Sequence, residues 1–148
     1  MMSVRVEVNQ ECQVPGFGPG EAERLVEAAA RAALADQGIG SADLSITILD
    51  DGGMASLNRE WKGRGDATDV LAFALYEGGE QPVGDVYLGA ERAVEQGPAA
   101  GESAARELAR LAIHATLHVL GWDHPEEDRE SSEMWAVQER ILTSLGVS

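Results

Sequence analysis

A chain of 148 residues, 44% of them apolar, is long enough to bury a core as one domain, 1–148, and is not expected to be disordered. Eleven Lys and Arg against 26 Asp and Glu leave a formal charge of −15, which argues against broad electrostatic capture of nucleic acid. No run approaches the ~18–20 apolar residues that cross a bilayer, the start lacks a signal-peptide layout, and the single cysteine, Cys12, excludes an internal disulfide and fits a reducing cytoplasm.

In chain order, Val4 to Val8 alternates apolar with charged residues and reads as a half-buried strand. A Pro/Gly loop over 15–20 precedes a helix from Glu21 to Gln37, with Leu25, Val26, Ala29, Ala33 and Leu34 as its apolar stripe and Gly38 after its end. Leu44, Ile46 and Ile48 mark a second strand. Asp50-Asp51-Gly52-Gly53 breaks it and offers a cap to a short helix whose inward positions are Met54, Leu57 and Trp61. Lys62 to Thr68 is a glycine-containing loop with two basic residues, and Asp69 to Tyr76 reads as a buried strand. A turn over 77–82 leads to a strand from Val83 to Leu88, then a short helix from Ala90 to Gln96 ended by Gly97-Pro98. Ser103 can cap a long helix reaching about Leu120, and a last helix covers about Arg129 to Leu145, with Met134, Val137, Ile141 and Leu142 on one side. The order points to an α+β domain: a small mixed sheet of about four strands packed by helices.

All three histidines fall in one stretch, His114-Ala-Thr-Leu-His118-Val-Leu-Gly121-Trp-Asp-His124. His114 and His118 share a helix face. Gly121 sits where the helix would end in a left-handed cap, so the chain can bring His124 back to the first two. Three imidazoles with a fourth position open describe a catalytic zinc site rather than a structural one. The alternative is a pair of hydrogen-bonded core histidines, each of which needs a partner to avoid the ~1–3 kcal/mol cost of an unpaired buried polar group. One shared divalent ion satisfies both. Zinc is the first choice for imidazole ligands; nickel, copper and iron also suit them. The spacing matches the metzincin zinc-protease helix, but the position that carries that pattern's glutamate base is Ala115, which argues against a protease of that kind.

The same residues resemble the YbeY family of metal-dependent endoribonucleases, whose signature is H-G-x-L-H-L-x-G-x-D-H. His114, Leu117, His118, Gly121, Asp123 and His124 are in register, with Ala115 and Val119 as departures. Leu57 to Phe73 resembles the family's L-N-x-x-Y-R-x-x-D-x-P-T-D-V-L-S-F, Gly84 to Leu88 its G-D-I-x-I strand, and Met134 with Gln138 to Leu142 its last helix. The resemblance implies one zinc ion held by His114, His118 and His124, on a zincin-like helix, beside an active cleft. It implies a single-strand-specific endoribonuclease in ribosomal RNA maturation (the 16S 3′ end) and ribosome quality control. Ribosomal RNA and small-subunit proteins would be its partners, without DNA or membrane. The family's arginine near the metal falls on Lys62, which keeps a charge but lacks the two-point fork for phosphate. Arg59 and Arg64 are close enough in sequence to share that role. Asp123 either accepts the second N–H of a histidine or caps the turn. Two further readings remain open: a metal-dependent hydrolase of peptides or small molecules, and a ribosome-assembly factor whose metal is structural.

Overall fold

The computed structural model describes residues 3–62, 69–123 and 129–148, without the side chains of Lys62 and Arg129. Strand β1 (Val4–Gln10) pairs in parallel with β2 (Ala42–Leu49), in the register Val6 to Leu44 and Val8 to Ile46. A parallel pair needs a crossover, and helix α1 (Glu21–Asp36) supplies it. Its buried face is Ala22, Val26, Ala29, Ala30, Ala33 and Leu34, so small side chains let it lie close to the layer beneath. β4 (Val83–Gly89) pairs in parallel with β2, and β3 (Val70–Ala74) pairs antiparallel with β4. The resulting four-stranded mixed sheet has the order β1-β2-β4-β3. The α+β expectation is met: five α-helices accompany this sheet among the described residues.

Alternation assigns the two faces. Val6, Leu44, Ile46, Ile48, Val86 and Leu88 point to one side and join the main core with α1 and helix α4 (Ala104–Val119). The other side carries Glu7, Ser45, Thr47, Asp85 and Tyr87, and helix α2 (Asp51–Lys62) packs against part of it. Asp50 caps α2, its Oδ1 accepting from the Gly53 amide at 2.8 Å. Met54 is buried as expected, but Trp61 is 62% exposed and the buried position is Asn58. Trp61 lies at the outer end of the helix beside Phe73, with ring centroids 5.5 Å apart, rather than in the core.

Two other expectations are corrected. β3 is an edge strand, so of its residues only Leu71 is buried, and Leu75 just beyond it is 61% exposed. Leu71 turns to the side that carries Tyr87, while Val70 and Ala72 pack half-buried against the main core, so its apolar run serves both faces but is buried fully at one position only. Helix α3 (Ala90–Ala99) also runs through Gly97-Pro98 instead of ending there. Pro98 lies in the last turn, where a missing N–H costs one bond only, and the Gln96 and Gly97 carbonyls still accept from the Ala100 amide.

Ser103 caps α4 as expected, its Oγ accepting from the Arg106 amide at 3.0 Å. The last helix is shorter than the sequence suggests. A 3-10 turn at Arg129–Ser131 precedes α5 (Glu133–Leu145), whose cap is Ser132, with Met134, Val137, Ile141 and Leu142 buried as expected.

Helices α4 and α5 are joined by Arg110. Its Nε and Nη2 donate to the Glu139 carboxylate at 2.9 and 3.0 Å, its Nη1 and Nη2 reach Glu102 at 2.6 and 3.1 Å, and Nη1 also reaches Glu107. Burial works against the guanidinium charge, but bonds to Glu102, Glu139 and Glu107 more than offset it and raise its pKa. The bond from Arg110 holds the Glu102 carboxyl below its usual range. Burial pushes Glu107 up, outweighing the same partner.

Two outcomes are expected. Gly84 is the seat of α4 on the sheet: a Cβ there would stand 2.6 and 2.8 Å from the Val119 methyls and 3.1 Å from Leu44. Gly84→Ala should therefore cost about 1–3 kcal/mol in urea unfolding. Arg110→Met should cost about 2 kcal/mol near neutrality, below the figure for a fully buried pair because Glu102 and Glu139 are partly exposed. The depressed Glu102 value means that its stabilisation is present above the ordinary glutamate pKa and is lost as pH falls through the folded-state value. Unfolding at neutral pH and near pH ~3.5 should show the variant's deficit shrinking in acid.

Candidate metal centre and adjoining cleft

The second half of helix α4 is mostly apolar, and His114 and His118 are half-buried polar residues on one face of it. Their rings meet nearly edge to face, at 84° with centroids 4.5 Å apart, and their Nε2 atoms are 3.0 Å apart. Each ring is held from behind through Nδ1. His118 Nδ1 lies 3.0 Å from the Trp122 carbonyl oxygen, and His114 Nδ1 lies 2.6 Å from Gln138 Oε1 on α5.

The Trp122 contact follows from how α4 ends. Gly121 has φ +99°, the left-handed turn expected of it. The Gly121 amide bonds back to the His118 carbonyl and the Trp122 amide to the Leu117 carbonyl, both at 3.0 Å, which is a Schellman closure. That turn folds the Trp122 carbonyl over the His118 ring. The Trp122 indole N–H donates to Gln37 Oε1 at 2.8 Å, which ties the turn to the end of α1.

A peptide carbonyl only accepts, so His118 carries its proton on Nδ1. Gln138 Nε2 donates to Glu139 Oε2 at 3.1 Å, which orients the Gln138 amide with its oxygen toward His114 and puts that ring's proton on Nδ1 as well. Both Nε2 atoms then present lone pairs to each other at contact distance. A cation between them reconciles the two, and the donor set fits zinc. Nitrogens bound at ~2.0–2.1 Å to one tetrahedral ion stand about 3.3 Å apart, near the separation found here. Among the described residues no group of three His, Cys, Asp or Glu is gathered for a metal. The third predicted ligand, His124, lies outside the described residues, and so do residues 63–68 with Arg64 and Thr68. Lys62 is the last residue of α2, and its side chain is outside the description too. Arg59 is exposed on the same helix.

Beside His114 opens a cleft of about 470 Å³, with Asp69, Arg110, Glu130, Trp135 and Gln138 in its wall. Asp69 lines it, while its carbonyl accepts from the Gly89 amide at 2.9 Å. Arg110 lies 6.0 Å from the Trp135 ring centroid. Its charge is shared among Glu102, Glu107 and Glu139, and the described residues of the wall include more negative than positive groups. Ala115 is fully buried in the main core rather than facing this cleft.

The sequence reading considered Asp123 as the group that orients a histidine. For His114 and His118 that contact is made by Gln138 and the Trp122 carbonyl. Gln138 had a visible signal, a polar side chain within the apolar stripe of Met134, Val137, Ile141 and Leu142, where it is 1% exposed. The carbonyl had none in the Trp122 side chain.

Comparison with known proteins identifies the family of the chain. The family described as "Endoribonuclease YbeY" matches residues 8–146. A protein of that name from Azorhizobium caulinodans is 41% identical over 134 residues, covering 86% of this chain and 84% of its own. One from Symbiobacterium thermophilum is 38% identical over 152 residues, covering 95% and 97%. One from Salinispora tropica is 43% identical over 136 residues, covering 80% and 85%. The solution structure of TM1509 from Thermotoga maritima superposes with a TM-score of 0.66 at 26% identity, covering 95% of this chain and 88% of that one. The chain therefore belongs to the YbeY family of endoribonucleases.

Proposed function

We propose that this protein is a zinc-dependent, single-strand-specific endoribonuclease that acts in the cytoplasm on ribosomal RNA, in 16S 3′-end maturation and ribosome quality control. The observation that carries the zinc reading is the pair of imidazoles with Nε2 atoms 3.0 Å apart and both Nδ1 atoms on acceptors. Family membership supplies the endoribonuclease class. No helix among the described residues is long and apolar enough to cross a membrane.

His114, His118 and His124 would hold the ion. Zinc so held supplies Lewis acidity toward a phosphoryl oxygen and brings the pKa of water to about 7. Gln138 and the Trp122 carbonyl keep the first two rings in the tautomer that presents Nε2. Lys62, at the family's arginine position, meets the phosphate and offsets the charge that grows on it during cleavage, with Arg59 and Arg64 near it in sequence. Ala115 cannot take a proton, so no side chain at that position serves as base. A chain of charge −15 has little general affinity for RNA. Small ribosomal subunit proteins then hold the substrate in place, and the site itself needs only a local grip on one phosphate.

Purified protein should contain about one zinc per chain and cleave single-stranded RNA. His114→Ala should lose both the metal and, by about a hundredfold or more, the cleavage. Cleavage that survives this change or chelation would overturn the assignment. Lys62→Ala should slow cleavage by about tenfold or more with metal content unchanged; loss of metal there would show that Lys62 acts on the metal site instead. Unfolding on chelation, without hydrolysis of any RNA by the loaded protein, would favour a ribosome-assembly factor with a structural metal.

A further inference from the structure

Behind His114 the polar contacts continue past Gln138 to two charged groups, Glu139 and Arg110, that neither hold the metal nor meet the phosphate. His114 Nδ1 meets Gln138 Oε1 at 2.6 Å, Gln138 Nε2 meets Glu139 Oε2 at 3.1 Å, and both Glu139 oxygens are held by Arg110 at 2.9 and 3.0 Å. Gln138 is 1% exposed in an otherwise apolar stripe of α5. A leucine or methionine would fill that position without a desolvation cost.

An amide side chain can present either its oxygen or its nitrogen, and the two choices have opposite consequences for the imidazole it faces. With oxygen forward, the ring must donate from Nδ1, and Nε2 keeps its lone pair. With nitrogen forward, the ring must accept at Nδ1, the proton moves to Nε2, and that nitrogen can no longer bind a cation. Glu139 settles the choice, because a carboxylate only accepts and so draws the amide nitrogen to itself. Arg110 in turn fixes Glu139 by a two-point bond. His118 needs no such device, since its partner is a backbone carbonyl that cannot reverse.

We infer that Gln138 is a positioning residue, locked by Glu139 and Arg110, that fixes the His114 proton on Nδ1 and so commits Nε2 to the metal. This rests on the reading of His114 as a zinc ligand. If Gln138 only fills space between α4 and α5, its loss will change stability and leave the ring alone.

The test uses the zinc-loaded full chain, with affinity measured by competition against a chromophoric chelator and the ring tautomer read from nitrogen-15 NMR of the imidazoles. Wild type should show His114 with a hydrogen-bonded Nδ1–H and a metal-bound Nε2. Gln138→Met should weaken zinc binding by about 10–100-fold with the circular dichroism spectrum unchanged, and the Nδ1–H signal should be lost. Gln138→Glu keeps an acceptor and should recover most of that loss. Glu139→Gln leaves Gln138 in place but frees its amide to reverse, and should weaken binding in the same direction by a smaller factor. Glu139→Gln decides the matter if Gln138→Met does not fold. Affinity and tautomer unchanged in folded Gln138→Met, or in Glu139→Gln, would overturn the inference, as would a wild-type His114 protonated on Nε2. A wild type that binds no zinc at all would instead overturn the metal assignment on which it stands.

Discussion

An imidazole has two nitrogens, and a ring that sits half-buried on an apolar helix has to satisfy both. That requirement organises the centre of this protein. On α4 the two rings present one nitrogen each to the other at 3.0 Å, so the remaining nitrogen of each must be answered from outside the helix. One answer comes from the turn that closes α4, the other from a side chain on α5. The helix alone would leave the rings free to rotate; the closing turn and the neighbouring helix convert a spacing in sequence into a pair of aimed donors.

The scaffold holds those donors by fixing α4 along its length. Ser103 caps its start, Arg110 ties its middle to α5, and Val119 near its end rests on Gly84 of β4. The Tyr76 hydroxyl donates to the Val119 carbonyl at 2.6 Å, which satisfies one of the last carbonyls of the helix from beyond the edge strand. The Trp122 indole reaches back to Gln37 at the end of α1. Ligand geometry on rigid elements is more precise than geometry on loops, and both described histidines belong to the most fully packed helix in the chain. The groups behind them sit on a helix and on a closed turn of defined hydrogen bonding.

Much of this was legible in the sequence, for physical reasons that differ from element to element. Strict alternation in Val4–Val8 and Leu44–Ile48 reports one buried sheet face, and both strands are present. Ser103 and Asp50 announced helix starts because a short side-chain oxygen before a helix has one common use. Gly121 announced the turn after His118. The failures are equally specific. Trp61 matched the helical period of Met54 but lies past the end of the surface that α2 covers, so periodicity could not tell a buried position from an exposed one. The apolar run of β3 looked like a central strand because composition does not carry strand order, and β4 takes the inner place. The Pro98 signal was overruled by its position in a last turn. Gln138 and the Trp122 carbonyl could not be assigned to the histidines, because packing between α4 and α5 and the path of a turn are tertiary facts.

The acidic charge of the chain takes a different meaning once the cleft is seen. Among the described residues of its wall stand Asp69, Glu102, Glu107 and Glu130 with Arg110 as the cation, and Arg110 is already shared by three carboxylates. Such a wall repels a bare phosphate and attracts a divalent ion, and two neutral imidazoles bring no positive charge of their own. A phosphodiester can approach only where a cation has first reversed the local sign, and a metal ion does that within a few ångströms while leaving the distant surface acidic. The same arrangement disfavours long stretches of backbone passing over the cleft. On the reading proposed above, a metal at the histidines would supply the local positive charge that this wall lacks, and delivery of the substrate rather than general affinity would decide which RNA is cut.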